Sequence, residues 1–254
     1  MKLESQNITA ECLNVAKLAA HSAGKYLSDN FGEKHTAKFK SPSDIGLAVD
    51  IGSEEIILNI IKEKYPEHNF YSEEIGELKN NSKFTWYIDP LDGTNNYFAG
   101  IPYFSVSIAL MCENEIILGV VYNPIANQLF EAVKDEGAYL NKKELQPSEN
   151  FEMNKSVCSF IQGHNVPSSQ ELDTVKINLQ NNFRRIISTW SPALDWALLA
   201  FGGIDALVSF DSELEDMYAG LLIAQEAGIV VSNFGENKII ASNKSIHKSL
   251  SKLF

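Results

Sequence analysis

The sequence predicts a mixed α and β fold in which layers of helix and sheet alternate, and three observations support this. Apolar residues recur at helical spacing early in the chain, three apolar segments separated by turn residues occupy positions 104–133, and strand-like and helical segments alternate after residue 150. Such alternation favours helices packed against a sheet. We therefore expect two sub-halves, roughly 1–150 and 151–254, with no linker rich in Ser, Gly or Pro between them.

Two helices are predicted in the first 64 residues. Apolar residues over positions 8–27 follow helical spacing, and Asn30-Phe31-Gly32 provides a stop. A polar, lysine-rich stretch over residues 33–43 is expected to form a mobile loop or a short hairpin. The second helix is expected to begin at Ser53 and to end at Lys64, because Pro66 cannot continue it.

Strands are predicted in the middle of the chain. A short strand at 69–70 and a longer one at 84–88 precede three further strands at 104–111, 116–122 and 128–133. Turn residues separate these last three, which are rich in β-branched and aromatic side chains, so we expect an antiparallel meander.

The second half alternates between the two element types. Strands are predicted at 156–161, 185–188, 206–210, 229–232 and 238–241. Helices are predicted to begin at 168 and to span 192–201 and 215–227. This order favours a second α/β layer set.

Composition excludes several classes of protein. The net charge of −12 disfavours a protein that neutralises nucleic-acid phosphates with a basic face. The three cysteines are widely spaced and form no C-x-x-C pair, which argues against a disulfide framework or a thiolate metal site. No apolar run approaches the ~20 residues of a membrane span. We expect a cytoplasmic protein with no nucleic-acid or membrane partner.

Acidic residues cluster where solvent-exposed charge is not expected. Asp89-Pro90-Leu91-Asp92-Gly93-Thr94 directly follows an apolar strand, Glu73-Glu74 lies upstream, and residues 84–133 contain no Lys or Arg. Converging carboxylates repel one another unless one is protonated or a cation is bound, and Mg²⁺ suits oxygen ligands of this kind. The plain alternative is an Asx-type turn, because Asp, Pro and Gly are common turn residues.

The same segment carries a family resemblance. Residues 86–97 read W-Y-I-D-P-L-D-G-T-N-N-Y and resemble the signature of the inositol monophosphatase family, with further similarity at 101–110 and 215–228. Members of this family are Mg²⁺-dependent, lithium-sensitive phosphatases related to fructose-1,6-bisphosphatase. The resemblance implies one domain over residues 1–254, an α+β fold layered as the αβαβα sandwich of sugar phosphatases, and a homodimer.

The resemblance also implies roles for individual residues around two or three Mg²⁺ ions. Asp50 and Thr94 would form a hydrogen-bonded pair that activates water, and the amides of Gly93 and Thr94 would hold the phosphate. The implied metal ligands are Glu73, Asp89, the Leu91 carbonyl oxygen, Asp92 and Asp216. The implied catalytic residues are Asp50, Thr94 and Glu73. The implied substrate-binding residues are Lys40, Gly93, Thr94, Trp190, Ser191, Ser209 and Asp216.

Three departures from the family pattern fall on the substrate side. Trp190 stands where the family has glycine, Ser209 where an acidic residue contacts inositol, and Glu215 where tryptophan is usual. The residues expected to bind metal and phosphate are therefore retained, while the sequence leaves open which alcohol is esterified to the phosphate.

The sequence leaves several functions open. It favours hydrolysis of a small polyol or sugar phosphate resembling inositol 1-phosphate. The alternative substrates are fructose 1,6-bisphosphate, histidinol phosphate and adenosine 3′,5′-bisphosphate, and a catalytically idle scaffold or metal-binding protein is the alternative from another class.

Overall fold

A computed structural model describes residues 2–41, 44–163, 166, 168–210 and 214–254, and it describes the side chains of 9–38, 45–163, 166, 168–210 and 217–254. The helices are α1 Lys2–Asn30, α2 Ala48–Lys64, α3 Thr94–Ala99, α4 Gln170–Asn182, α5 Pro192–Ala200, α6 Leu214–Glu226 and α7 Lys244–Leu250. The strands are β1 Lys38–Ser41, β2 Asp44–Gly46, β3 Asn69–Ser72, β4 Gly76–Leu78, β5 Phe84–Asp92, β6 Ser105–Cys112, β7 Glu115–Asn123, β8 Gln128–Val133, β9 Ala138–Leu140, β10 Lys143–Glu144, β11 Val157–Gln162, β12 Arg185–Ile187, β13 Ala206–Phe210, β14 Val230–Gly235 and β15 Lys238–Ser242.

The described strands form two large sheets and one hairpin. The first sheet has eight strands in the order β10-β9-β8-β7-β6-β5-β3-β4, and the second has five in the order β12-β11-β13-β15-β14. Strands β5 to β8 pair antiparallel with their sequence neighbours, which confirms the predicted meander. Strands β1 and β2 form a hairpin, one of the two forms expected for the lysine-rich stretch.

Three apolar cores hold five layers together. Helices α1 and α2 cover one face of the first sheet, α5 and α6 lie between the two sheets, and α4 and α7 cover the far face of the second sheet. The predicted alternation of helix and sheet layers is therefore confirmed, in the order αβαβα. The assignment of all 254 residues to one domain with two sub-halves stays a prediction.

The central helices approach the first sheet very closely. A Cβ on Gly119 of β7 would lie 2.7 Å from the Ala219 carbonyl oxygen of α6. Since that neighbour is backbone and cannot rotate away, glycine is required for this contact. The close packing places α5, which follows Ser191, over the carboxyl end of β5.

The beginning of the second helix was predicted wrongly. Helix α2 begins at Ala48 rather than at Ser53, because extended Leu47 caps it and its amide donates to the Asp50 carboxylate at 2.5 Å. Ser53 and Glu54 consequently lie inside the helix and are buried. The short strands β4, β9 and β10 and the helix α7 were not predicted, and within the described residues no helix has the length and apolar character needed to cross a membrane.

Candidate active site

A cavity of about 620 Å³ opens at the carboxyl end of β5. Its lining includes three carboxylates, Glu73, Asp89 and Asp92, which we call the acidic end, and it also includes Gln162 and Lys176. Eight residues predicted for the site line this cavity, namely Glu73, Asp89, Leu91, Asp92, Gly93, Thr94, Trp190 and Ser191. Residues from both sequence halves thus meet in one place.

The Asp-Pro segment at the end of β5 forms an Asx turn. Asp89 Oδ1 accepts a hydrogen bond from the Leu91 amide at 2.9 Å, and the Thr94 hydroxyl donates to the Leu91 carbonyl oxygen at 2.9 Å. The Ser53 hydroxyl of α2 donates to the Pro90 carbonyl oxygen at 2.7 Å. The Asx turn and the metal site are alternative interpretations of this segment in the sequence, but they are compatible. The turn brings the Asp89 and Asp92 side chains to the cavity.

Asp92 is a buried carboxylate held by hydrogen bonds on both oxygens. Oδ2 accepts from the Ser105 hydroxyl at 2.6 Å and from the Ser191 hydroxyl at 2.5 Å, and Oδ1 accepts from the Ala193 amide at 3.2 Å. Burial raises the pKa of Asp92, and these hydrogen bonds oppose the rise. A nearby cation would stabilise the ionised form.

Gly93 links the turn to helix α3. Its φ of +94° lies in the left-handed region, and a Cβ there would lie 3.2 Å from both Ser191 Cβ and the Tyr103 carbonyl oxygen. The Asn96 side chain of α3 donates to the carbonyl oxygens of Tyr103 at 2.6 Å and Thr189 at 2.7 Å. These contacts fix the first turn of α3 against the loop before α5.

Glu54, which sequence reasoning missed, supports the loop that carries Glu73. Its carboxylate accepts hydrogen bonds from the Ser72 hydroxyl, the Glu74 amide at 3.0 Å and the Ile75 amide at 3.2 Å. The segment Ser53-Glu54-Glu55 resembled a solvated helix start, so no local signal identified this buried support.

Asp195 is a second buried carboxylate that was not predicted. It accepts hydrogen bonds from Thr189 at 2.7 Å, from Ser159 at 2.6 Å and, more weakly, from Tyr103 at 3.4 Å. Burial raises the pKa of Asp195 to about 7, the charge of Asp92 adds to the rise, and the hydrogen bonds oppose it. The carboxyl group of Asp195 in the cavity wall therefore ionises less readily than that of a free aspartate.

We expect Asp195→Asn to change how stability depends on pH. The folded-state pKa of Asp195 lies above the value of about 3.9 for a free aspartate, so its contribution to the free energy of unfolding is full below about pH 4 and is lost as the pH rises through about 7. Asparagine does not ionise, so its side chain adds no pH dependence in this window. The free energy of unfolding of the variant should therefore rise relative to that of the wild type, by at most about 1.4 kcal/mol for each pH unit.

Thermal melts in EDTA between about pH 5 and 8 measure this difference. A stability difference that does not depend on pH would contradict the assignment to Asp195.

The remaining predicted residues fall outside the cavity lining or outside the described side chains. Asp50 is buried in the first turn of α2, and its expected pairing with Thr94 stays a prediction. Ser209 is buried in β13, where it pairs with Ile161, a residue of the cavity lining, and its expected contact with the substrate stays a prediction. The side chains of Lys40 and Asp216 lie outside the described residues.

The acidic end offers oxygen donors rather than a complete metal cage. Among the described side chains, no three His, Cys, Asp or Glu groups lie close enough together to hold a metal ion. Asp92 is turned toward its hydrogen-bond donors, and the side chain of Asp216 is not described. Mg²⁺ commonly uses one or two carboxylates together with waters and phosphate oxygens, so the donor set present here fits it chemically.

Comparisons with known proteins agree on one family. The family model described as "Inositol monophosphatase family" matches residues 9–253. A protein of Aquifex aeolicus named fructose-1,6-bisphosphatase/inositol-1-monophosphatase is 35% identical over 244 residues, covering 92% of each chain. The Nus factor SuhB of Haemophilus influenzae is 36% identical over 256 residues, covering 95% of each chain. The crystal structure of the extragenic suppressor protein SuhB of Bartonella henselae matches with a TM-score of 0.90 at 32% identity, covering 96% of this chain and 98% of that one.

Proposed function

Since this chain belongs to the inositol monophosphatase family, we propose that it is a Mg²⁺-dependent phosphomonoesterase acting on a small polyol or sugar phosphate that resembles inositol 1-phosphate. The observation that carries the proposal is the convergence of Glu73, Asp89 and Asp92 on one cavity next to Gly93 and Thr94. Phosphoryl transfer requires a phosphate held in position and a positive charge beside it. Main-chain amides can provide the first, and carboxylates that bind a divalent cation can provide the second.

The proposed ligands of the ions are Glu73, Asp89, the Leu91 carbonyl oxygen, Asp92 and Asp216. Bound Mg²⁺ supplies positive charge to the transferring phosphoryl group and lowers the pKa of water, and two or three ions per site remain part of the proposal. The presence of Glu73, Asp89 and Leu91 in the lining of one cavity supports this assignment.

The protein's own groups bind and orient the ester. In the proposed site, the Gly93 and Thr94 amides hold the phosphate. The Thr94 hydroxyl, which donates to the Leu91 carbonyl oxygen in this structure, turns to the Asp50 carboxylate and passes its proton there while its oxygen accepts a proton from the attacking water. Ser191 serves chiefly to hold Asp92, because its hydroxyl proton is already donated there. Positioning of this kind supplies most of the catalysis in phosphoryl transfer.

A panel of phosphate esters tests the proposal. Inositol 1-phosphate, glycerol 2-phosphate, histidinol phosphate, fructose 1,6-bisphosphate and adenosine 3′,5′-bisphosphate are incubated with Mg²⁺, with EDTA, and with Mg²⁺ plus millimolar LiCl. We expect phosphate release that requires Mg²⁺ and falls in lithium. If no ester released phosphate, the phosphatase proposal would be refuted. That result would favour a catalytically idle scaffold, a role compatible with relatives named Nus factor SuhB.

A homodimer and a cytoplasmic location, with no nucleic-acid partner, complete the proposal. The net charge of −12 supports the exclusion of nucleic acid. Sedimentation of the purified protein tests the dimer.

One observation favours a second candidate, hydrolysis of a bisphosphate. Lys176 is the one cationic side chain among the described residues that line the cavity. Its Nζ donates to Gln162 Oε1 at 2.9 Å and lies 5.5 Å from the centre of the Phe160 ring. A cation so placed suits a second anionic group on the substrate, and a relative that is 35% identical carries fructose-1,6-bisphosphatase in its name.

We expect Lys176→Met to lower kcat/KM for fructose 1,6-bisphosphate by about 10- to 100-fold, since a hydrogen bond to a charged group contributes about 1.5–3 kcal/mol. The value for glycerol 2-phosphate, which has no second anion, should change much less. Lys238→Met is the matched control, because Lys238 also lies over an aromatic ring but is not among the residues that line the cavity. Equal losses on both esters would contradict a second-anion site at Lys176.

A further inference from the structure

Trp190 is exposed at the mouth of the cavity in an uncommon backbone conformation. Its side chain is 60% exposed and lines the cavity, and its φ is +60°. In the described part of the chain, no aromatic ring packs against its indole. A large apolar ring exposed to solvent in the left-handed region is disfavoured both by hydration and by backbone sterics.

The residues on either side hold Trp190 in this conformation. The Thr189 carbonyl oxygen accepts from Asn96 at 2.7 Å, and the Thr189 hydroxyl donates to Asp195 at 2.7 Å. The Ser191 hydroxyl donates to Asp92 at 2.5 Å. Backbone strain that surrounding contacts maintain in this way is characteristic of functional sites.

The indole of Trp190 shares its cavity with the residues proposed to bind the phosphate. Trp190 lines the same cavity as Asp92, the carboxylate that its sequence neighbour Ser191 binds. Phe98, 48% exposed, lines the same cavity. A leaving group held in this cavity therefore shares it with two exposed aromatic side chains.

We propose that Trp190 is a stacking platform for a flat aromatic ring in the leaving group, so that this chain takes nucleoside phosphates among its substrates. The inference rests on the proposed phosphatase function and specifies its substrate class. Aromatic side chains stack on bases through their π faces, without needing hydrogen bonds to a particular base. The cavity volume of about 620 Å³ lies within the range of sites that hold a ligand of nucleotide size.

The chain carries its own probe for this proposal. Of its three tryptophans, Trp86 and Trp196 are 0% and 1% exposed, so iodide quenching of fluorescence reports on Trp190. We expect adenosine with inorganic phosphate and Mg²⁺ to lower the iodide quenching constant at least twofold, whereas phosphate with Mg²⁺ alone leaves it unchanged. These ligands are reaction products, so the measurement does not depend on turnover.

Three results would overturn the proposal. One is unchanged quenching with adenosine. Another is equal protection by myo-inositol with phosphate, which would show that an aromatic ring is not required. The third is protection that rises with protein concentration in the absence of ligand, which would place the indole between two copies of the chain.

Kinetics separate a failure of this inference from a failure of the phosphatase proposal. We expect Trp190→Ala to lower the ratio of kcat/KM for adenosine 5′-monophosphate over glycerol 2-phosphate at least tenfold, mostly through KM, and Trp190→Phe to restore most of it. Phe151→Ala is the control, because Phe151 is 74% exposed and lies outside the cavity lining. An unchanged ratio with active enzyme refutes the stacking role alone, whereas no hydrolysis of either ester by the wild type refutes the phosphatase.

Discussion

Asp92→Asn is expected to lower kcat for phosphate release by about 10²–10³-fold, the loss seen when one preorganised electrostatic group is removed from an active site. Asparagine has the shape of aspartate but lacks the negative charge that would hold a cation. The hydrogen bonds can survive, because Oδ1 still accepts from the Ala193 amide while the Ser105 and Ser191 hydroxyls turn to accept from the new amide group.

The fold of this variant should therefore remain intact. Burial raises the pKa of Asp92, so in EDTA a neutral side chain at this position costs the folded state no stability and should leave Tm equal or higher. Mg²⁺ should raise the Tm of the wild type and raise that of the variant much less.

Asp205→Asn provides the matched control. Asp205 is also a buried carboxylate, and it accepts from the Ser148 hydroxyl at 2.6 Å and the Val157 amide at 2.8 Å, outside the cavity lining. We expect it to affect stability without a comparable loss of kcat. Phosphate release by Asp92→Asn at the wild-type rate would refute the assignment of Asp92.

Gly93→Ala should damage both stability and activity. A left-handed conformation costs an alanine about 1–2 kcal/mol, and the added Cβ would lie 3.2 Å from Ser191 Cβ and from the Tyr103 carbonyl oxygen. Relief of this crowding must move the turn that carries the Gly93 and Thr94 amides, the proposed phosphate donors. A displacement of about 1 Å can lower the rate about 10²-fold, so we expect a loss of that size in kcat.

Gly228→Ala separates backbone strain from crowding. Gly228 has a φ of +96°, nearly that of Gly93, but a Cβ there would meet nothing within 4 Å. The control should therefore lose stability from strain alone, as measured by urea unfolding, and should keep its activity. Equal effects of the two substitutions on kcat would show that crowding against Ser191 does not control the site.

Local signals predicted the elements and the acidic end of the site. Helical spacing in α1 and alternation in β6 to β8 depend on residues adjacent in sequence, and strand β13 was predicted with its observed bounds. The Asp-Pro-x-Asp-Gly-Thr segment was also predictable from neighbouring residues, because a turn after a buried strand places its side chains at the end of that strand. Where cap contacts decided the boundary, as at Leu47 and Asp50, the prediction was wrong by five residues.

The sequence by itself determined the order of the elements, the layered class of fold and the carboxylates of the acidic end, because periodicity and turn chemistry are properties of neighbouring residues. Only the tertiary structure decided what completes the site. Asp92 and Ser191 are 99 positions apart in sequence, and Asn96 and Thr189 are 93 apart. Burial of Asp195 and Glu54 and the position of Lys176 in the cavity lining follow from how the sheets and helices pack, and no local pattern records that packing.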